Sequence, residues 1–242
     1  MGSQIVHFMA NSTSDLATQY HPYHPQDSHI PNYAPNSWSV PALLSVFFGV
    51  CTTLFSSTYF VANALNPKLR RSDLITIMWF VLSGSIHLFF EGYYALHWST
   101  LGSKQTLIGQ MWKEYAFSDS RYLTRNSMVL CLETMTAVCW GPGCLLVAWL
   151  IVRDRPERFP VQLVVSVGQL YGDALYYATS IFDEVVTGVR YSRPEAAYYW
   201  CYFVLMNSFW LFIPAVLVYQ SVTRTAEAVS VARRMEGLKK AI

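Results

Sequence analysis

Apolar residues gather along this chain into five long runs, at residues 40–64, 74–96, 127–152, 161–181 and 197–221, with polar stretches between them. About 20 helical residues cross a bilayer, so every run is long enough to span. No two-residue alternation of the barrel kind is present, and the helix is the other spanning structure that satisfies its own backbone. The pattern predicts an all-α, polytopic membrane protein with a bundle of five transmembrane helices. Three units follow: a flexible polar tail over 1–39, the helical domain over 40–221 and a basic tail over 222–242.

Composition strengthens this reading. The 242 residues are 53% hydrophobic and 13% charged, where globular domains carry about 25% charged residues. A net charge of +2, without a dense basic stripe, points away from nucleic acid. The first 39 residues contain no apolar core of a cleaved signal peptide. Their His7, His21, His24 and His29 are irregularly spaced among prolines, which reads as a mobile segment rather than a metal site. Asn11-Ser12-Thr13 is a glycosylation sequon, meaningful only on the lumenal side. Cys51, Cys131, Cys139, Cys144 and Cys201 all lie in apolar runs. They make no CxxC pair and no metal-ligand spacing, which predicts buried free thiols.

Orientation follows from the loop cations. Lys68, Arg70, Arg71, Arg153, Arg155, Arg158, Arg224, Arg233, Arg234, Lys239 and Lys240 fall on one side. The smaller group, Lys104, Lys113, Arg121, Arg125, Arg190 and Arg193, falls on the other. The richer side is expected to be cytosolic, which puts the N-terminus in the lumen and Trp98, Trp112 and Trp200 near the lumenal boundary. Lys239-Lys240-Ala241-Ile242 has the form of a dilysine retrieval signal, so the endoplasmic reticulum membrane is the expected location.

Ionisable residues within such runs cost a few kcal/mol each and mark functional sites. His87 and Glu91, in the second run, are four apart and share a helix face. Glu133, in the third, shares a face with Thr136 and Trp140, and Asn207 shares one with Trp210 in the fifth. Gathered round one interior, these groups suit proton movement on an apolar substrate. They offer an acid, a base and an aromatic face for a transient cation. A carboxyl in a low-dielectric interior resists ionising, which makes Glu91 or Glu133 a usable proton donor. His87 would relay the proton or hold its partner. Asp173, in the fourth run, reads equally as a pocket residue or as an acceptor that locks two helices. The segment 112–125 reads as a cap over the bundle. Nucleotide, hydrolase-elbow, zincin and diphosphate-metal motifs are all missing, so no cofactor and no metal are expected.

Several of these stretches, taken in order, resemble one family. They are IHLFFEG at 86–92, WKEY at 112–115, DSRY at 119–122, LETMTA at 132–137 with WGP at 140–142, QLVVSVGQLYGD at 162–173 and FVLMNSFW at 203–210. HPYHPQ at 21–26 and residues 33–36 add to the match. Together they resemble the emopamil-binding protein family, the sterol Δ8–Δ7 isomerases of the endoplasmic reticulum within the EXPERA group.

The resemblance implies a five-helix bundle around a sterol pocket open to lipid. The sterol is protonated at C9, passes through a carbocation near C8 and loses a proton from C7. The family's acid and base residues fall on His87, Glu91 and Glu133. Its substrate-binding, cation-stabilising residues fall on Thr136, Asn207 and Trp210, with Tyr122 as a further pocket residue. A departure such as Leu132, where the family has methionine, touches the fit to lipid more than the reaction. Implied partners are a Δ8 sterol, membrane lipid and cationic amphiphilic drugs that mimic the carbocation. The sequence leaves a homodimer open. Two other functions compete: isomerisation or cyclisation of a non-sterol lipophilic metabolite, and non-catalytic binding of sterols or cationic amphiphiles.

Overall fold

A computed structural model describes residues 20–240. His7 and the Asn11 sequon lie outside the described residues. Each apolar run becomes one long helix. These are α1 (Val40–Leu65), α2 (Arg71–His97), α4 (Ser127–Val152), α5 (Arg158–Phe182) and α6 (Ala197–Lys240). A short helix, α3 (Leu107–Tyr115), lies between α2 and α4. No strand occurs among the described residues.

Local chemistry sets the starts. Pro41 sits in the first turn of α1, where its missing N–H is not needed. The Thr106 side chain accepts the Gly109 N–H at 3.3 Å and caps α3. Asn126 accepts the Val129 N–H at 3.1 Å and caps α4.

Helices α1, α2, α4 and α6 are long and apolar enough to cross a membrane. With 25 residues α5 is long enough too, but Gln162, Ser166, Gln169 and Asp173 dilute its apolar character. Its polar side turns inward. Gln162 is fully buried and its Nε2 donates to Leu217 O of α6 at 3.2 Å and to Ser221 Oγ at 3.0 Å. A polar row buried against a neighbouring helix lowers the hydropathy of α5 without exposing polar atoms to lipid.

Large apolar side chains cover the outside, with Phe60, Phe89, Phe212 and Tyr219 all about 70% exposed. An apolar surface of that extent belongs in hydrocarbon. Inside, small residues let helices close in. A Cβ on Gly141 of α4 would stand 2.7 Å from Leu88 Cγ of α2, and one on Gly84 would stand 3.0 Å from Cys144 Cβ. At one end Arg158 Nη2 meets Asp73 Oδ1 at 2.7 Å and ties α5 to α2.

The opposite end is closed by a cap made of residues 20–39, α3 and the turn Ser120–Tyr122. Asp119 and Arg121, both buried, form a bidentate pair with Nη2–Oδ2 at 2.6 Å and Nε–Oδ1 at 3.0 Å. Arg121 also donates to Thr179 Oγ1 at 2.8 Å and to Tyr176 O at 3.2 Å, which fastens the cap to α5.

Three expectations need correction. Residues 20–39 are packed rather than mobile: Tyr23 and Ile30 are buried, and Tyr23 donates its hydroxyl to Lys113 O at 2.9 Å. Lys113 in turn donates to Ala34 O at 2.6 Å, and Gln110 Oε1 accepts the Ser37 and Trp38 N–H groups at 2.8 and 2.9 Å. Proline-rich composition hides these contacts because irregular packing has no sequence period. Trp112, expected at the boundary, lies inside the cap, stacked on Phe90 at 4.5 Å. The five cysteines are free, but only Cys144 is buried. An apolar run on a spanning helix faces lipid as often as protein. Beyond residue 221, α6 continues as an exposed helix to Lys240.

Candidate active site

Three of the long helices depart from α geometry next to the candidate residues. The turns Ile86–Glu91, Thr136–Trp140 and Ala197–Met206 are π-helical. They carry His87, Glu91 and Thr136, and they adjoin Glu133 and Asn207. Such wider turns are uncommon and occur often at functional sites. They redirect side chains in a way a regular 3.6-residue pattern does not forecast.

A cavity of about 610 Å³ opens between the helices beneath the cap, within the usual range for a small-molecule site. His87, Glu91 and Glu133 line it, as do Tyr122, Thr136, Asn207 and Trp210. The structure therefore brings together every sequence-derived candidate, with Asp173 as an added lining residue.

His87 is 2% exposed and its Nδ1 lies 2.6 Å from Glu91 Oε2. Its Nε2 touches Ser83 Oγ at 3.1 Å and Gln169 Nε2 at 3.0 Å. The imidazole is thus held from both sides, by Glu91 at Nδ1 and by Ser83 and Gln169 at Nε2. Gln169 also donates to Ser83 Oγ at 2.7 Å, and Trp210 Nε1 donates to the same oxygen at 3.1 Å. The indole ring stands 6.2 Å from the imidazole.

Glu133 faces this group from α4. Tyr122 donates its hydroxyl to Glu133 Oε1 at 2.7 Å, and Glu91 lines the same cavity. Thr136 spends its hydroxyl proton on Glu133 O at 2.8 Å, and so holds the π-turn in place. Asn207 Nδ2 donates to Tyr115 OH at 2.9 Å and to Phe203 O at 2.7 Å, tying α6 to the cap. Among the described residues no three His, Cys, Asp or Glu side chains are placed to hold a metal ion.

Sequence reasoning missed Ser83 and Gln169, which hold the imidazole. Ser83 lies four residues before His87, so helical spacing alone was enough to find it. Gln169 carried only a weak signal, a lone amide in an apolar run. Trp140 shares the expected face but is engaged by packing: a Cβ on Gly168 would lie 2.3 Å from its ring, so this glycine makes room for the indole.

Comparison with known proteins converges on one family. The sequence profile of the EXPERA group (EXPanded EBP superfamily) matches residues 107–221. The chain is 36% identical over 212 residues to the 3-beta-hydroxysteroid-Delta(8),Delta(7)-isomerase of Mus musculus, covering 87% of this chain and 91% of the relative. It is 30% identical over 213 residues to a probable enzyme of the same name from Arabidopsis thaliana, covering 88% and 92%. An isomeliandiol synthase of Melia azedarach is 30% identical over 177 residues, covering 73% and 81%. On these similarities, which run through α2 to α6 and include every helix that lines the cavity with an ionisable group, the chain belongs to the EXPERA (expanded EBP) superfamily.

Proposed function

We propose that this protein is a 3β-hydroxysteroid Δ8–Δ7 isomerase, an enzyme that moves the ring-B double bond of a sterol. The observation that carries the reading is the His87–Glu91 pair and Glu133 meeting across one apolar cavity. Relatives bearing that enzyme name cover most of the chain.

The chemistry follows from the geometry. Glu91 delivers a proton to C9 of the Δ8 alkene, with His87 orienting the acid. The π pair becomes the new C9–H bond and leaves a cation at C8. Glu133 then takes the proton from C7, and the C7–H electron pair closes the C7=C8 bond. The Tyr122 hydrogen bond suits Glu133 to that accepting role, and the Trp210 face supports the cation. Glu91 gives up one proton and Glu133 gains one, so the double-bond shift needs no net proton.

Other parts of the proposal rest on the same frame. The inward polar row of α5 supports a fifth spanning helix, and the cation-rich loops support a cytosolic side at residues 66–70 and 153–157. Exposed Lys239 and Lys240 support residence in the endoplasmic reticulum. An ammonium group mimics the C8 cation, so cationic amphiphiles should compete with sterol.

Incubating the purified protein with a Δ8 sterol in deuterated water tests the reading. Δ7 product labelled at C9 is expected. Product without label, or bound sterol that never converts, would overturn it. The isomeliandiol synthase among the relatives favours one second reading, the same proton chemistry on a non-sterol lipophilic metabolite. Turnover of such a substrate with none of the sterol would select it.

A further inference from the structure

Asp173 has no part in the proton transfer described above. It lies on α5 four residues beyond Gln169, on the same face, and lines the cavity. Its Oδ2 is buried and meets no hydrogen-bond donor. Two other carboxyls of the cavity are held, Glu91 by His87 and Glu133 by Tyr122. Tyr177, one turn beyond Asp173, directs its hydroxyl to Val204 O at 2.6 Å instead. Asp173 therefore does not lock two helices through that tyrosine. A buried acceptor without a donor, in a cavity that is otherwise largely apolar, is costly to the empty protein and is relieved by a ligand that brings an O–H or N–H.

The spacing says where that donor must be on the ligand. Gln169 Nε2 touches His87 Nε2 at 3.0 Å, and four residues carry α5 onward by ~6 Å. Asp173 thus stands one helical turn along α5 from the residue that touches the imidazole. In a rigid 3β-hydroxysteroid the hydroxyl is on ring A, one fused ring away from the reacting carbons of ring B, a comparable reach.

We propose that Asp173 is a substrate-binding and specificity residue, which accepts a hydrogen bond from the 3β-hydroxyl and so registers ring B between Glu91 and Glu133. The proposal rests on the isomerase reading for the identity of the ligand. It adds to that reading the reason a hydroxylated sterol would be preferred. A site built round an unpaired acceptor discriminates against an analogue lacking the donor, because the carboxyl is then left buried and unmatched.

The test compares a Δ8 3β-hydroxysterol with its 3-deoxy counterpart, by direct binding and by turnover. Wild type, Asp173→Ala and Asp173→Asn are measured side by side in detergent. Wild type is expected to bind the hydroxysterol about 10- to 100-fold more tightly than the deoxysterol, the range for leaving one buried acceptor unpaired. In Asp173→Ala that preference should vanish through weaker hydroxysterol binding, with deoxysterol affinity unchanged. Asp173→Asn keeps the shape and one acceptor oxygen, so it should fold alike and retain part of the preference. Equal weakening toward both sterols would make Asp173 a scaffold residue and overturn the proposal, as would a wild type without preference. A wild type that shows the preference yet moves no double bond would overturn the isomerase reading and leave the anchor standing.

Discussion

The Tyr122 hydroxyl lies 2.7 Å from Glu133 Oε1, so a side chain of the cap holds a carboxyl that belongs to α4. The cap is thereby part of the site. Any change that loosens it reaches the proton-transfer groups, even when the altered residue never touches substrate.

Removing the acid–base function of Glu133 alone gives the simplest check. Glu133→Gln keeps the size of the side chain and a carbonyl acceptor for Tyr122. We expect kcat to fall about 10²- to 10⁴-fold, the usual worth of one positioned acid or base, while sterol still binds. A Δ8-to-Δ7 rate near normal would remove Glu133 from the mechanism.

Ser83 and Gln169 hold His87 without facing the substrate in the same way. Ser83→Ala removes a hydroxyl that contacts the imidazole at 3.1 Å and accepts from Trp210. A loss of ~10- to 100-fold in kcat with little change in KM is expected, since small misplacements of a catalytic group are that costly. A change confined to KM would place Ser83 in binding instead.

The Asp119–Arg121 pair should dominate the stability of the cap. Asp119→Ala leaves the buried Arg121 guanidinium without its carboxylate, and breaking a buried pair from one side costs about 3–5 kcal/mol. Thermal unfolding in detergent should show a large drop in Tm, with activity lost in parallel. An unchanged Tm would show that the pair contributes nothing net.

Gly168→Ala puts a Cβ 2.3 Å from the Trp140 ring as it now stands. The indole must move, and overpacking of this kind costs about 1–3 kcal/mol. The ring lines the cavity, so the variant should also change sterol affinity. Unaltered binding and Tm together would mean that Trp140 has room elsewhere.

Lys113 gives the cap a pH dependence. Burial pushes its ammonium down from the usual 10.5 to about 8. Among the described residues its hydrogen-bond acceptor is the Ala34 carbonyl, at 2.6 Å. The folded chain therefore binds fewer protons than the unfolded one between those values, and stability rises with pH across that window. Below about pH 8 the penalty of holding the charged amine is present in full; toward 10.5 it disappears. Subtracting the Tm of a Lys113→Met variant from that of the wild type isolates this contribution. The difference should climb between about pH 8 and pH 10, and a flat difference would place the charge in water.

Much of the frame could be read without coordinates because its causes are local. Bilayer thickness sets the length of an apolar run, and capping residues such as Asn126 mark where a helix starts. The pairing of His87 with Glu91 needs only four residues of spacing. Helical spacing also paired Asn207 with Trp210, and motif resemblance added Tyr122. The sequence could not say that Tyr122 reaches Glu133, that Gln169 and Ser83 clasp the imidazole, or that Trp112 is interior. Each of those depends on how one element is rotated and advanced against another, and neighbours across elements have no period along the chain. The π-turns at Ile86–Glu91 and Thr136–Trp140 add a local shift that regular spacing cannot show. The sequence by itself determined the helices and the identity of the ionisable groups. Only tertiary packing decided which of them share a cavity, because that choice is made by contacts between elements far apart in the chain.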